Sequence, residues 1–163
     1  MFLKNYTSEA PVSQTIYRIE QVLIRCGVAG IEKEYTPSGE VVAITFRIEI
    51  EPGKPTRVRL PVNVEQACNA LWMDYMGDDL LPDGKIAWRT RKRRTKESFK
   101  DQAERTAWKI TQDWVEVQMS MIQMKQADFR EVFLPYMWDG KRTFFDAIKS
   151  NGFRALLPER SSE

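Results

Sequence analysis

The chain has 163 residues, no histidine and only two cysteines, Cys26 and Cys68. That length reads as one domain able to bury a full core, while the missing histidine excludes Ser-His and Cys-His nucleophile pairs and imidazole metal sites, and two cysteines make neither a four-cysteine metal site nor a disulfide framework. The formal net charge is only +2, yet Lys85 to Lys100 holds eight bases against one acid, Glu97, for a net +7, and the remaining 17 bases and 22 acids leave −5 elsewhere.

Residues 1–11 read as an extended entry arm. A helix is expected from Val12 to Cys26, because Ile16, Ile19, Val22, Leu23 and Cys26 share one helical face and Gly27 suits a left-handed cap. Three strands follow. The first covers Gly30–Tyr35 and ends in the turn Thr36-Pro37-Ser38-Gly39. The second, Val41–Glu51, alternates: Val42, Ile44, Phe46, Ile48 and Ile50 point to one face, and Ala43, Thr45, Arg47 and Glu49 to the other. After Pro52-Gly53-Lys54-Pro55, the third strand, Thr56–Leu60, places Val58 and Leu60 on the buried face and Arg57 and Arg59 on the open one. An antiparallel meander with one wet face accounts for this pattern.

A second helix is expected over Asn63–Met76, with Val64, Ala67, Cys68, Leu71, Trp72 and Tyr75 turned inward. Gly77-Asp78-Asp79 ends it, and Pro82-Asp83-Gly84 marks a loop turn. A long helix then runs from about Lys96 to Ala127. Ala103, Ala107, Ile110, Trp114, Val117, Met121 and Met124 form a heptad seam. Trp108, Val115 and Ile122 form a second apolar row, with Glu104, Thr111 and Gln118 angularly between the two. The chain closes with a helical stretch at Asp128–Phe133, a break at Pro135, a turn at Trp138-Asp139-Gly140 and a short helix over Thr143–Asn151.

The fold class expected is therefore α+β: helix, three-stranded antiparallel meander, helix, then a helical C-terminal half with one long amphipathic helix. Residues 1–163 read as a single domain, with a possible division into an α+β part (1–78), a basic loop (79–95) and a helical part (96–163).

The basic segment is the clearest functional feature. Trp88, Arg89, Arg91, Lys92, Arg93, Arg94 and Lys96 crowd like charges together, which an anionic partner offsets. Arginine and lysine release counterions from a phosphate backbone, and a tryptophan stacks on an unpaired base. Arg47, Arg57 and Arg59 add cations on the open sheet face, where cross-strand Arg/Glu pairing is the simpler reading. Asp113 and Glu116, three apart on one helix, form a weak candidate for a divalent ion, against the simpler reading of ion pairing with Arg105 or Lys109. With no second acidic motif and no nucleotide-binding glycine motif, no catalytic residue, metal or cofactor is expected, and the chain reads as a non-enzyme. The row Trp108, Val115, Met119 and Ile122 is expected to face outward and join subunits into a homo-oligomer.

Helix–strand–strand–strand–helix over about residues 12–76 resembles the element order of double-stranded RNA-binding domains. Glu65 stands where that family wants a base, and no functional residue is carried across. A second resemblance rests on Lys4-Asn5-Tyr6-Thr7-Ser8-Glu9, Gln102-Ala103-Glu104-Arg105-Thr106-Ala107-Trp108, Asp113-Trp114-Val115-Glu116-Val117-Gln118 and Phe133-Leu134-Pro135-Tyr136. These stretches resemble a group of small proteins encoded by phages and prophages. The resemblance carries no activity with it. It implies a role in phage DNA metabolism or in countering host defence.

The expectation is a nucleic-acid-binding accessory protein, with DNA as the polymer and the basic arm as the contact. The alternative is a protein-interaction module whose long helix docks on a host protein. With no apolar run of signal-peptide or membrane-span length, the bacterial host cytoplasm is the expected compartment and no membrane partner is expected.

Overall fold

The computed structural model describes residues 3–77 and 94–153. The architecture is α+β. Helix α1 (Val12–Arg25) leads into strands β1 (Gly30–Tyr35), β2 (Val41–Glu51) and β3 (Lys54–Arg59), followed by α2 (Val64–Gly77). A single turn of 3-10 helix, Lys96–Phe99, then runs into α3 (Lys100–Gln123). Short α4 (Phe129–Phe133), a second 3-10 turn (Leu134–Tyr136) and α5 (Phe144–Asn151) complete the described chain.

The chain divides into two compact units, Met1–Val22 with Val62–Val117, and Leu23–Pro61 with Gln118–Glu163. The units interleave along the chain, with boundaries inside α1 and α3, rather than separating at the basic loop. Packing explains this. In the first unit Phe99, Ala103 and Ala107 bury against Ala67 and Leu71 of α2, with Leu3, Val62, Val64, Cys68, Trp72 and Tyr75 around them. The apolar partners of α2 thus lie beyond the basic segment, and they hold Val62–Val117 together.

The entry arm is strapped to α3 in the same unit. Gln102 Nε2 donates to the carbonyls of Tyr6 (2.8 Å) and Ser8 (3.1 Å), and Arg105 Nε donates to Ser8 (3.2 Å). Thr106 Oγ1 donates to the carbonyl of Asn5 at 3.3 Å. Asn5 itself has φ 60°, the left-handed region that asparagine tolerates better than most residues.

In the second unit the three strands lie in the order β1-β2-β3, all antiparallel. Gly39 and Gly53 turn the two hairpins with φ of 89° and 75°, which a side chain would strain. Ile44, Phe46 and Val58 form the buried face. Phe46 sits edge-on to Phe133 at 5.6 Å and to Phe129 at 6.3 Å between ring centroids. These are favourable aromatic geometries that lock α4 to the sheet. A small hairpin covers the outer edge of β3. Met137 bridges Val58, Trp138 N donates to the Arg57 carbonyl at 2.8 Å, and Trp138 pairs back on Thr143. An edge capped in this way cannot pair with a stray strand.

The opposite face of β2 differs from the expected wet face at its centre: Ala43 and Thr45 are only 3% exposed. In register, Glu34 lies beside Ala43, and Glu32 and Arg59 lie on either side of Thr45. Arg59 reaches diagonally to Glu34, and Arg57 to Glu32, so these long side chains pass over the two small residues of the middle strand.

The long helix buries the start of its heptad seam, Ala103 and Ala107, but the second row is the one that stays buried further along. Trp108 and Val115 are fully buried and Met119 is 3% exposed, whereas Val117 and Met124 are 54% and 60% exposed. A heptad seam slips about 20° per repeat on a straight helix. Starting from the buried Ala103, the seam positions Ile110, Val117 and Met124 rotate steadily away from the Trp108–Val115 side. Thr111, on the polar line between the rows, is buried because its hydroxyl donates to the Ala107 carbonyl at 2.9 Å. Trp108, Val115 and Met119 are therefore interior residues rather than a subunit contact. Only Ile122 of that row keeps part of its surface.

Candidate nucleic-acid interface

Trp88, Arg89, Arg91, Lys92 and Arg93 lie outside the described residues. Arg94 is where the described chain resumes, and it is held at several points. Its backbone N–H donates to the Tyr75 hydroxyl at 3.1 Å, and its Nη2 donates to the Ser98 carbonyl at 3.3 Å. Its guanidinium carbon lies 4.0 Å from the centroid of the Phe99 ring, a cation–π contact. Phe99 in turn belongs to an aromatic cluster, 5.3 Å from Tyr75 and 6.2 Å from Trp72 between centroids. The next residues are also ordered: the Ser98 hydroxyl donates to the Thr95 carbonyl at 2.7 Å, and the Cys68 thiol lies 3.6 Å from the Lys96 carbonyl. Lys96 is exposed. Arg94, within the basic run, thus rests on an aromatic base supplied by α2 and the turn before α3.

Beside this anchor lies a cleft of 500 Å³. Arg94, Phe99 and Tyr75 line one part of it, Arg105 and Gln102 another, and Asp74 and Asp101 add two carboxylates.

Arg47, Arg57 and Arg59 do share one sheet face, in the second unit, but each is drawn to a carboxylate. Arg59 donates through two nitrogens to both oxygens of Glu34, with the second contact at 3.0 Å. Arg57 Nη2 donates to Glu32 at 2.9 Å, and Arg47 approaches the same carboxylate at 3.9 Å. The Arg59 hydrogen bond is the main reason that the Glu34 carboxyl is held below its ordinary range. Arg59 also stacks on Trp138, 4.5 Å from its ring centroid. These arginines are a cross-strand lattice first, and their charge is largely matched on the sheet itself.

Asp113 and Glu116 also find partners inside the first unit. Asp113 accepts from Lys4 at 2.8 Å, Asn5 at 3.0 Å and Lys109 at 3.3 Å. Burial works to raise its carboxyl, but the hydrogen bonds from Lys4, Asn5 and Lys109 outweigh it and the net shift is downward. Glu116 accepts from Gln112 Nε2 at 2.6 Å. Two cations on Asp113 leave it a structural ion pair, not an open ligand. Among the described residues no cluster of three or more histidine, cysteine, aspartate or glutamate side chains could hold a metal ion.

Sequence reasoning missed Tyr75 and Phe99 as the footing of Arg94, and Trp138 as the cover of Arg59. For the first there was a signal: an aromatic pair on α2 and a phenylalanine five residues after Arg94. For Trp138 there was none, because a turn-like Trp-Asp-Gly does not announce a stacking partner on a distant strand. The second unit also holds a cleft of 460 Å³ with Ile48, Ile50, Met119 and Phe129 in its lining and Arg25 and Cys26 beside them. Burial pushes the Cys26 thiol up, which keeps it protonated and poorly nucleophilic.

Among the described residues, no helix is long and apolar enough to cross a membrane. No family model, curated protein or solved structure matches the chain.

Proposed function

We propose that this chain is a non-enzymatic nucleic-acid-binding protein that takes hold of a phosphate backbone through the basic segment that includes Arg94 and Lys96. The observation that carries the reading is a charge imbalance beside a rigid anchor. Eight bases stand against one acid from Lys85 to Lys100, and Arg94 within that run is fixed on Phe99 and Tyr75. Anchoring part of a cationic run reduces the ordering entropy that the complex costs. The arginines of the sheet face support the reading less, since Glu32 and Glu34 already hold them.

The test is a titration of labelled DNA and RNA at two salt concentrations, on the full chain and on a variant with Arg89, Arg91, Lys92 and Arg93 changed to glutamine. Removal of each phosphate-binding cation is expected to flatten the dependence of log affinity on log salt by roughly one unit. Affinity and salt slope that do not change in the variant overturn the arm as the contact. Wild-type chain that binds no nucleic acid at low salt overturns the function, and turns attention to an acidic protein surface.

A further inference from the structure

We infer that the cleft beside Arg94 receives a single nucleobase, so that the polymer held by the arm is read as an unpaired strand. This rests on the nucleic-acid reading above and adds the part of the ligand that enters the protein.

Three features of the cleft lead to this. The first is a flat, backed platform. Arg94 presents a planar guanidinium whose inner side is supported by the Phe99 ring at 4.0 Å, and Phe99 is itself wedged against Tyr75 and Trp72. Bases of unpaired strands stack on aromatic rings and on arginine planes alike. A platform whose position is already fixed loses little freedom when it is covered. The backbone hydrogen bond from Arg94 to Tyr75 and the Nη2 contact to Ser98 hold the plane in place.

The second feature is charge. The basic segment favours phosphate, but the cleft does not. Among the described residues its lining carries Asp74 and Asp101 as well as Arg94 and Arg105. Arg105 is also partly committed, donating to the Ser8 carbonyl at 3.2 Å and to Gln102 at 2.8 Å. A dianionic or monoanionic phosphate would meet two carboxylates there. An uncharged, planar, hydrogen-bonding group would not, and a nucleobase is the uncharged part of a polyanion. On this reading the backbone answers the charge of the basic run and a base takes the cleft.

The third feature is hydrogen-bonding sense. Gln102 is saturated by Tyr6, Ser8 and Arg105. The Tyr75 hydroxyl accepts from Arg94 and keeps its own proton to donate. Asp101 offers carboxylate oxygens that accept. The Asp101 acceptor suits an exocyclic amino group, as in cytosine, better than the O4 carbonyl that thymine carries in its place. The cleft volume of 500 Å³ is ample for a base. In a duplex the faces of each base are covered by its neighbours in the stack, so only an unpaired base can lie on the Arg94 plane.

The experiment compares anisotropy titrations of labelled oligo-dC, oligo-dT and a short duplex, using the wild type, Arg94→Lys and Asp101→Asn. Arg94→Lys keeps the charge and removes the plane. Both positions are on the surface, and circular dichroism verifies that each variant remains folded. The expected result is a fall of about tenfold in the ratio of single-strand to duplex affinity for Arg94→Lys, the order of magnitude of one base stack. Asp101→Asn is expected to reduce the preference for oligo-dC over oligo-dT by several-fold. If Arg94→Lys leaves the single-strand to duplex ratio unchanged while the arm variant still loses binding, the base site is overturned and the phosphate-binding reading stands. A wild type that binds none of the three probes overturns both.

Discussion

Val115 tests most directly which side of α3 faces the interior. It is fully buried in the chain, so Val115→Ala removes two carbons from a packed environment. At about 0.8 kcal/mol per buried methylene, the transfer part is about 1.6 kcal/mol. If the void of about 50 Å³ persists, about 24 cal/mol per Å³ adds about 1.2 kcal/mol. The expected loss is thus about 1.5–3 kcal/mol, a large share of the roughly 5–15 kcal/mol that holds a domain together. Urea unfolding followed by tryptophan fluorescence and circular dichroism would register it as a midpoint lowered by about 1 M, using a slope typical of small proteins. Val115→Glu would place an unpaired carboxylate in the same position and is expected to abolish folding. The contrast with an outward-facing row is sharp. On a subunit contact, alanine would cost an isolated chain little, and glutamate would give a soluble folded monomer. A Val115→Ala loss below about 0.5 kcal/mol, or a folded Val115→Glu protein with the wild-type spectrum, would refute the inward assignment.

Three further outcomes follow from contacts of the described residues. Because Lys4, Asn5 and Lys109 hold the Asp113 carboxyl below its unfolded value, its contribution is complete above the ordinary aspartate range. That contribution is lost as pH falls from there through the depressed folded value, so Asp113→Asn should flatten the acid limb of the stability curve, read by urea midpoints across pH 2–6, roughly the carboxylate range. Arg59→Ala, which removes both the Glu34 contacts and the stack on Trp138, should cost about 1 kcal/mol and shift tryptophan emission to the red as Trp138 meets water; an unchanged spectrum would count against the stack. Cys26, with its thiol pushed up by burial, should be alkylated by iodoacetamide at neutral pH more slowly than free cysteine, as peptide mass spectrometry at timed intervals would show.

The meander was legible because every signal for it is local. The period-two pattern from Val42 to Ile50, with turn residues at Thr36–Gly39 and Pro52–Gly53, leaves little freedom in strand length or register, and observed β1 and β2 match the expected bounds. The end of α1 was readable for the same reason, since Gly27 with φ 80° follows it. The bounds of the long helix were not: Lys96–Ala127 was expected, and α3 runs Lys100–Gln123, with Lys96–Phe99 in 3-10 form and Lys125 at φ 58°. The inward face of α3 was not readable. Both its rows are apolar, and periodicity alone does not say which one meets the core. The sheet face was half readable. Alternation put Arg57 and Arg59 on the open face, where Arg/Glu pairing was expected, but the small size of Ala43 and Thr45, which lets the arginines reach across β2 to Glu32 and Glu34, gains its meaning only once the register is known.

Charge pairing organises the described residues. Among the described residues, cations and carboxylates meet repeatedly: Lys4 and Lys109 on Asp113, Arg57 on Glu32, Arg59 on Glu34, Lys54 on Glu51 and Arg130 on Asp128. These pairs hold the entry arm on α3, the strands on one another and the start of α4 in place, so the acids concerned are already engaged. From Lys85 to Lys100 the sequence itself holds only Glu97 as an acid. Arg94, the one arginine of that run whose surroundings are described, is held by an aromatic ring, a hydroxyl and a carbonyl rather than by a carboxylate. Contacts of that kind fix a guanidinium without cancelling its charge. The proposed phosphate contact rests on that difference and on the close spacing of the eight bases in the run.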